Sequence, residues 1–422
     1  MTLRDDWRPC VGQDAGRQHD SQQQGRQRRG AVRAACRAGV LGAAVAAVGG
    51  MAPPGAFASA AAPVGQHARP AFLSVAGSLL GVAVMSDRSA WAVGAATRRP
   101  DFQFSKPLLA RWDGRAWTRV TAAPLPAHGY LDGIVRFRGG AWAVGASGTH
   151  PAGTPGLHKP LILRLTGSTW TRVPYPGKTG GHLTAVAASS PANAWAVGSV
   201  MDAAADGPQL IVHWNGKAWK QVQLPAIPQY GWLTGVATTS PDNAWAVGNT
   251  APGAVFILHW DGRRWRQVRT PGMTGTNQTL AGVAATSARN AWAVGSDYGK
   301  GKTLVLHWNG RTWKRVPSPS PGGGPDSGVS TGPDNRLGAV AATSATSAWA
   351  VGWGSTRGLV YAPVILHWDG RRWTHVTAPD PSGGGFLGGI GIGPSGHAWT
   401  VGETEKAPAL TLFEHWDGSA WH

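Results

Sequence analysis

The sequence predicts an all-β protein in which one four-stranded unit recurs seven times and closes into a ring. Three observations carry that expectation. The pentapeptide AWAVG places Trp91, Trp142, Trp195, Trp245, Trp292 and Trp349, and the variant AWTVG places Trp399, six intervals averaging about 51 residues. Each copy is followed by an apolar run that closes in a turn, as in LIVHWNGKAW (210–219) and FILHWDGRRW (256–265). Gly 61 and Pro 31 of 422 residues, with only three Glu and 14% charged side chains, favour turns and short strands over helices. A sandwich would not need seven equal units, whereas a closed ring does.

In chain order, residues 1–37 are polar and rich in Gln and Arg, without apolar periodicity. Arg26, Arg28, Arg29, Arg33 and Arg37 form a basic segment ahead of the apolar stretch 38–52, which is too short to span a bilayer with margin. Ala58-Ser59-Ala60 fits the A-x-A pattern of signal cleavage, so residues 1–60 read as an export signal and 61–422 as the mature domain, secreted or held in the cell envelope. Arg28-Arg29 resembles a twin-arginine signal without its usual apolar continuation, which leaves the export route open. Cleavage would remove Cys10 and Cys36, the only cysteines, and leave 31 basic against 17 acidic groups. Such a chain has neither disulfide nor thiolate metal site, and no membrane span is expected in it.

Each repeat reads as four strands. Strand a is small and apolar, as in Leu233-Thr234-Gly235-Val236, and ends in a polar turn such as 239–243. Strand b is the AWAVG segment. Strand c ends, in five of the seven copies, in His-Trp, and the Asp-Gly or Asn-Gly that follows in six copies supplies the positive φ values of a tight hairpin. Strand d starts at the third Trp and ends near a Pro, as in Trp265 to Pro271. Twenty of the 23 Trp fall at these repeat positions. The last copy stops at Trp421-His422, so residues 71–76 are expected to pair with the seventh unit and join the ends.

Four-stranded units of this length, repeated seven times from about Phe72 to His422, resemble the exported bacterial seven-bladed β-propellers with kelch-like repeat length. The D-G-x-x-W turn is similar to a shortened Asp-box. The kelch double glycine is replaced by Ala-Trp-Ala, and the full Asp-box spacing is missing, so the resemblance implies an architecture and no catalytic residues.

The repeated residues read as architecture. His213, His259, His307, His367 and His415 precede the strand c Trp, but strand c is third from the axis, so these imidazoles are spread around a ring and cannot meet at one metal ion. They are expected to be hydrogen-bonded within or between blades, and the Trp to cement blades together. Fourteen Lys and Arg in or beside strand d read as edge protection, with attachment to an anionic polymer as the alternative.

Function is expected on the face that carries the irregular b–c and d–a connections. All five Tyr lie there or at its strand junctions, together with both non-repeat Trp of the mature chain. The candidate ligand-binding residues are Tyr130, Tyr175, Tyr230, Trp232, Tyr298, Trp353, Tyr361 and Phe386. The carboxylates of that face, Asp101, Asp132, Asp202, Asp206, Asp297, Asp326, Asp334, Asp380, Glu403 and Glu405, form no recognisable catalytic motif. The expectation is a non-catalytic binding module for carbohydrate, for a cell-surface polymer of anionic character or for a protein partner, without cofactor or metal. Nucleic acid is disfavoured by export. A glycosidase or lyase using loop carboxylates, and a purely structural scaffold, are the alternatives.

Overall fold

A computed structural model of the chain describes residues 75–422 apart from 98–104, 122–123, 149–157, 178–179, 201–207, 226–230, 251–252, 271–272, 274–276, 323–334, 356–360 and 380–382. The expected signal over residues 1–60 and the candidate Tyr230 lie outside the described residues. The seven repeats fold into seven antiparallel sheets whose strand a members pack one against the next, the last against the first, so the ring is closed. The protein is a seven-bladed β-propeller. Blade 4 is representative, with strands Gly231–Ser240, Asn243–Thr250, Val255–Trp260 and Trp265–Val268 paired in sequence order.

The conserved glycine of AWAVG has a steric reason. In every blade strand a carries a register shift two to three residues in, as between Leu233 and Gly235, which presses the preceding carbonyl onto strand b. A Cβ on Gly94, Gly145, Gly295, Gly352 or Gly402 would overlap the carbonyl oxygen of Ser78, Tyr130, Thr279, Arg336 or Phe386 respectively. Near the axis the blades crowd in the same way: a Cβ on Gly389 would sit 2.7 Å from the Leu80 carbonyl oxygen of blade 1, and one on Gly391 2.6 Å from that of Val82.

Tryptophan joins the blades. The strand b Trp of one blade inserts between the strand c and strand d Trp of the next: Trp195 meets Trp260 at 5.0 Å and Trp265 at 5.1 Å, and Trp245 meets Trp308 and Trp313 at 4.9 and 5.1 Å. Trp399 of blade 7 does the same with Trp112 and Trp117 of blade 1, at 4.9 and 5.2 Å, which carries the cement across the closure. The pairs with the strand d Trp are near-perpendicular, at 86° to 90°, and such pairs add about 0.5–1.5 kcal/mol each beyond the area they bury. The strand c indole also donates to the carbonyl of its own blade's a–b turn, as Trp260 Nε1 does to Pro241 at 3.0 Å.

The strand c histidines belong to this framework. His213, His259 and His307 lie flat on Trp195, Trp245 and Trp292 at 4.1 to 4.2 Å and hydrogen-bond through Nε2 to Asn193, Asn243 and Asn290 at 2.7 to 2.8 Å. Each Asn amide donates in turn to the hydroxyl of Ser189, Thr239 or Thr286.

Blade 7 closes differently. Its sheet has three full strands, Gly385–Ile392, Ala398–Thr404 and Thr411–Trp416. The outer edge of the third is shared by two segments. His422 exchanges two backbone hydrogen bonds with His415, while Ala76 bridges Leu410, with Gly77 donating to the Ala409 carbonyl and Thr411 to the Val75 carbonyl. The expected joining of the two ends is therefore present at Val75–Gly77.

Candidate functional site

The residue that precedes the strand a leucine opens strand a at the mouth of the ring, on the face of the irregular connections. Around the seven blades this register position holds Ser78, Tyr130, His182, Trp232, Thr279, Arg336 and Phe386, opposite Ala95, Ala146, Ser199, Asn249, Ser296, Trp353 and Glu403 on strand b. The Leu that follows is the same in all seven repeats, while this position varies in size, charge and polarity. That contrast is a sequence-level signal for Arg336 and His182, which a search confined to Tyr and Trp passes over.

In blades 6 and 7 the position supplies Arg336 and Phe386 to an aromatic recess, which a Tyr from the end of blade 5 strand b completes. Strand b of blade 5, Asn290–Asp297, ends in a single helical turn, Tyr298–Lys300, stopped by Gly301 at φ 59°. That turn holds Tyr298 against Arg336, whose guanidinium lies 4.3 Å from the Tyr298 ring and 4.7 Å from the Trp353 ring. Trp353 packs edge-on against Tyr361 at 5.0 Å and Phe386 at 5.5 Å, and Tyr361 and Phe386 lie 4.9 Å apart. All five side chains are half-buried. Rings that pack on one another and hold a cation between them keep fixed orientations, which lowers the entropy lost when a ligand docks on them.

Two carboxylates border the recess. Glu405 Oε2 accepts the backbone N–H of Tyr361 at 3.0 Å, which positions the start of blade 6 strand c, and Glu403 stands opposite Phe386. A third carboxylate beneath the Tyr298 turn, Asp297, is buried and accepts from Arg315 Nη1 at 2.9 Å, with Lys300 Nζ at 3.9 Å. Glu405 and Asp297 thus serve the framework. The groups with displaced pKa values lie in the scaffold. Burial holds His213, His259, His307 and His367 below the ordinary imidazole range, and it raises the Glu414 carboxyl to about 8. Among the described residues no cluster of His, Cys, Asp and Glu could hold a metal ion.

The candidates divide by location. Tyr298, Trp353, Tyr361 and Phe386 come together with Arg336. Tyr130 is buried with Ala95 and Ala146 and meets His158 edge-on at 6.0 Å, so it packs the junction of blades 1 and 2. Tyr175, half-buried, packs beside Trp142 and Trp219 between blades 2 and 3. Trp232 stands half-buried at the channel mouth in blade 4, with no ring contact among the described residues. No described helix is long and apolar enough to cross a membrane.

No protein-family model matches the chain, and no curated protein sequence does. Solved structures resemble it in chain path. YCF48 bound to D1 peptide aligns at 16% identity over 83% of this chain and 99% of its own, with a TM-score of 0.49. YCF48 from Cyanidioschyzon merolae aligns at 17% identity over 81% and 97%, with a TM-score of 0.49. A mutant Aleuria aurantia lectin in complex with Fucalpha1-6GlcNAc aligns at 11% identity over 72% and 96%, with a TM-score of 0.44.

Proposed function

We propose that the protein is a non-catalytic binding module that takes carbohydrate in the recess formed by Tyr298, Arg336, Trp353, Tyr361 and Phe386. The observation that carries the reading is the mutual packing of Trp353, Tyr361 and Phe386 beside an Arg held between the Tyr298 and Trp353 rings, in a half-buried recess at the variable face. Aromatic faces suit the apolar C–H faces of a sugar ring, and a guanidinium edge donates to its hydroxyls. The alternative of a glycosidase or lyase is less well supported, because Glu405 is tied to the Tyr361 backbone and Asp297 to Arg315. The export signal expected over residues 1–60 makes the partner an extracellular or cell-envelope one, which N-terminal sequencing of the mature protein would check.

Glycan-array binding tests the site. Trp353→Ala and Arg336→Ala should each abolish binding, while Trp232→Ala, in blade 4, should leave it unchanged. Unaltered binding in both recess variants removes the recess from function. Because Trp353 is half-buried and outside the blade cement, its replacement should cost about 1–3 kcal/mol, from the loss of two ring pairs and the Arg336 contact, readable as a fall in Tm with the fold retained.

A further inference from the structure

The basic residues of the outer strands are unevenly distributed once the blades are placed around the ring. From the c–d turn to the fourth residue past the strand d Trp, blade 3 carries two exposed basic side chains, blade 4 four and blade 5 three. Blades 1 and 6 carry two each, blade 2 one and blade 7 none. The position after the strand d Trp shows the contrast most sharply, with Lys220, Arg266 and Lys314 in blades 3 to 5 and Thr118, Thr171 and Thr374 in blades 1, 2 and 6. Blades 3 and 5 also replace the turn Asp by Asn215 and Asn309. The three neighbouring blades thus present nine basic groups against one carboxylate, Asp261, in these segments.

Protection of sheet edges does not account for this pattern. Strand d is the outer edge in blade 2 as in blade 4, and blade 2 manages with Arg172 alone. Two of the nine groups have ion-pair partners, Arg266 with Asp261 at 2.6 Å and Arg315 with Asp297 at 2.9 Å. The other seven have none among the described residues. Within the sector a cleft of 630 Å³ opens between the segment that follows blade 3 strand d, Val222 to Pro225, and the blade 4 hairpin that carries Arg263, Arg264 and Arg266.

We infer that the rim of blades 3 to 5, which includes this cleft, is a docking surface for a linear polyanionic polysaccharide. A run of exposed like charges held on a rigid scaffold repels itself unless a counter-charge arrives, and a polymer that bears a carboxylate on every sugar supplies one along the whole sector. The rim is convex. A stiff nucleic-acid duplex, with a persistence length of about 50 nm, would touch one blade and leave the others, whereas a flexible glycan follows the curve. Single-stranded nucleic acid needs open aromatic faces for its bases. The cleft is lined by Trp260, which also packs against Trp195 with its N–H tied to Pro241, and by the buried Trp265, while Trp308 lies against Trp245, so the rim lacks the row of open faces that successive bases would need.

The test is binding of the full chain to immobilised polygalacturonate, with dextran as the neutral control and single-stranded DNA of equal charge as the competitor. The Kd should rise about tenfold or more as salt shortens the Debye length from about 10 Å towards 3 Å. Replacing Lys220→Thr, Arg266→Thr and Lys314→Thr together installs the residue that three other blades carry there, so the fold is retained. It should weaken binding about tenfold, while Arg119→Thr with Arg172→Thr in blades 1 and 2 should change it less than about twofold. The triple rim variant should leave binding to a neutral glycan on the array unchanged, so failure of the aromatic recess and failure of the rim are separately visible. Equal loss in the two sets of rim variants, no loss in either, or tighter binding of the DNA overturns the proposal.

Discussion

Blades 3 to 5 and blade 7 share a repeat, and they differ in how well each side chain serves its neighbours. In blades 3 to 5 the strand c His rests on the strand b Trp and bonds to an Asn that bonds on to a Ser or Thr hydroxyl. In blade 7 that Asn is His397, whose ring lies 5.5 Å from His415, so two imidazoles face each other where the other blades place an amide and an imidazole. The strand c position occupied by Val212, Leu258 and Leu306 in blades 3 to 5 is Glu414 in blade 7, 2% exposed and with neither carboxylate oxygen hydrogen-bonded among the described residues. Across from it Thr400 replaces the usual Ala and directs its hydroxyl to the Gly389 carbonyl instead. The outer edge of this blade is split between the two chain segments. The least regular side chains thus gather at the blade that closes the ring, and that blade is where stability should respond most to sequence and pH.

The largest expected effect comes from removing the buried acid. With a folded-state pKa of about 8 against an ordinary value of 4.5, Glu414 contributes stability that is complete below pH 4.5 and is lost as pH rises through about 8. Glu414→Leu, the residue of blades 4 to 6, should therefore add of order 3–5 kcal/mol at pH 9 and far less at pH 4.5, as read by denaturant unfolding at the two pH values. Next is the intact network of blade 4: Asn243→Ala leaves His259 and Thr239 without their shared partner and should cost about 1–3 kcal/mol, measured as a fall in Cm. The reverse change in blade 7, His397→Asn, gives His415 the partner its counterparts have and should add about 1 kcal/mol. A loss in that variant would show that blade 7 does not obey the rule of its neighbours.

A smaller and broader effect separates the two regions by pH. Burial lowers the pKa of His213, His259, His307, His367 and His415, with the charge of His397 a further cause at His415. The unfolded chain then takes up protons first, and stability falls as pH drops through the ordinary His value of 6.5. Glu414 works in the opposite direction over the same interval, so Glu414→Leu should show a steeper acid decline in Tm than the parent protein.

Much of the architecture is legible in the chain because repetition averages away local ambiguity. Seven copies of Trp, Gly and turn residues at one spacing give the blade, its strand count and the ring. The His-Trp motif reads as packing for the same reason: a residue that recurs in five blades, on the strand third from the axis, serves the blade. The candidate site is less legible. Tyr130 and Tyr298 are alike in composition and in their place beside irregular connections, yet one fills a junction between blades and the other clamps Arg336. The register position that unites Arg336 with Phe386 shows in the alignment of repeats, but not that the recess forms between blades 5 and 7.

The sequence by itself determined the elements, their number, the seams of Trp between them and the glycines without which strands a and b could not approach. These follow from local sterics and from apolar periodicity, which act within one repeat or between adjacent ones. Only the tertiary structure decided which variable side chains meet, that the basic outer strands of blades 3 to 5 form one continuous sector, and that Glu414 is enclosed without a hydrogen-bond partner among the described residues. Those outcomes depend on how successive blades are placed around a closed ring, where residues from different repeats, such as Tyr298 and Arg336 or Trp353 and Phe386, become neighbours and no pattern within a single repeat records the distance between them.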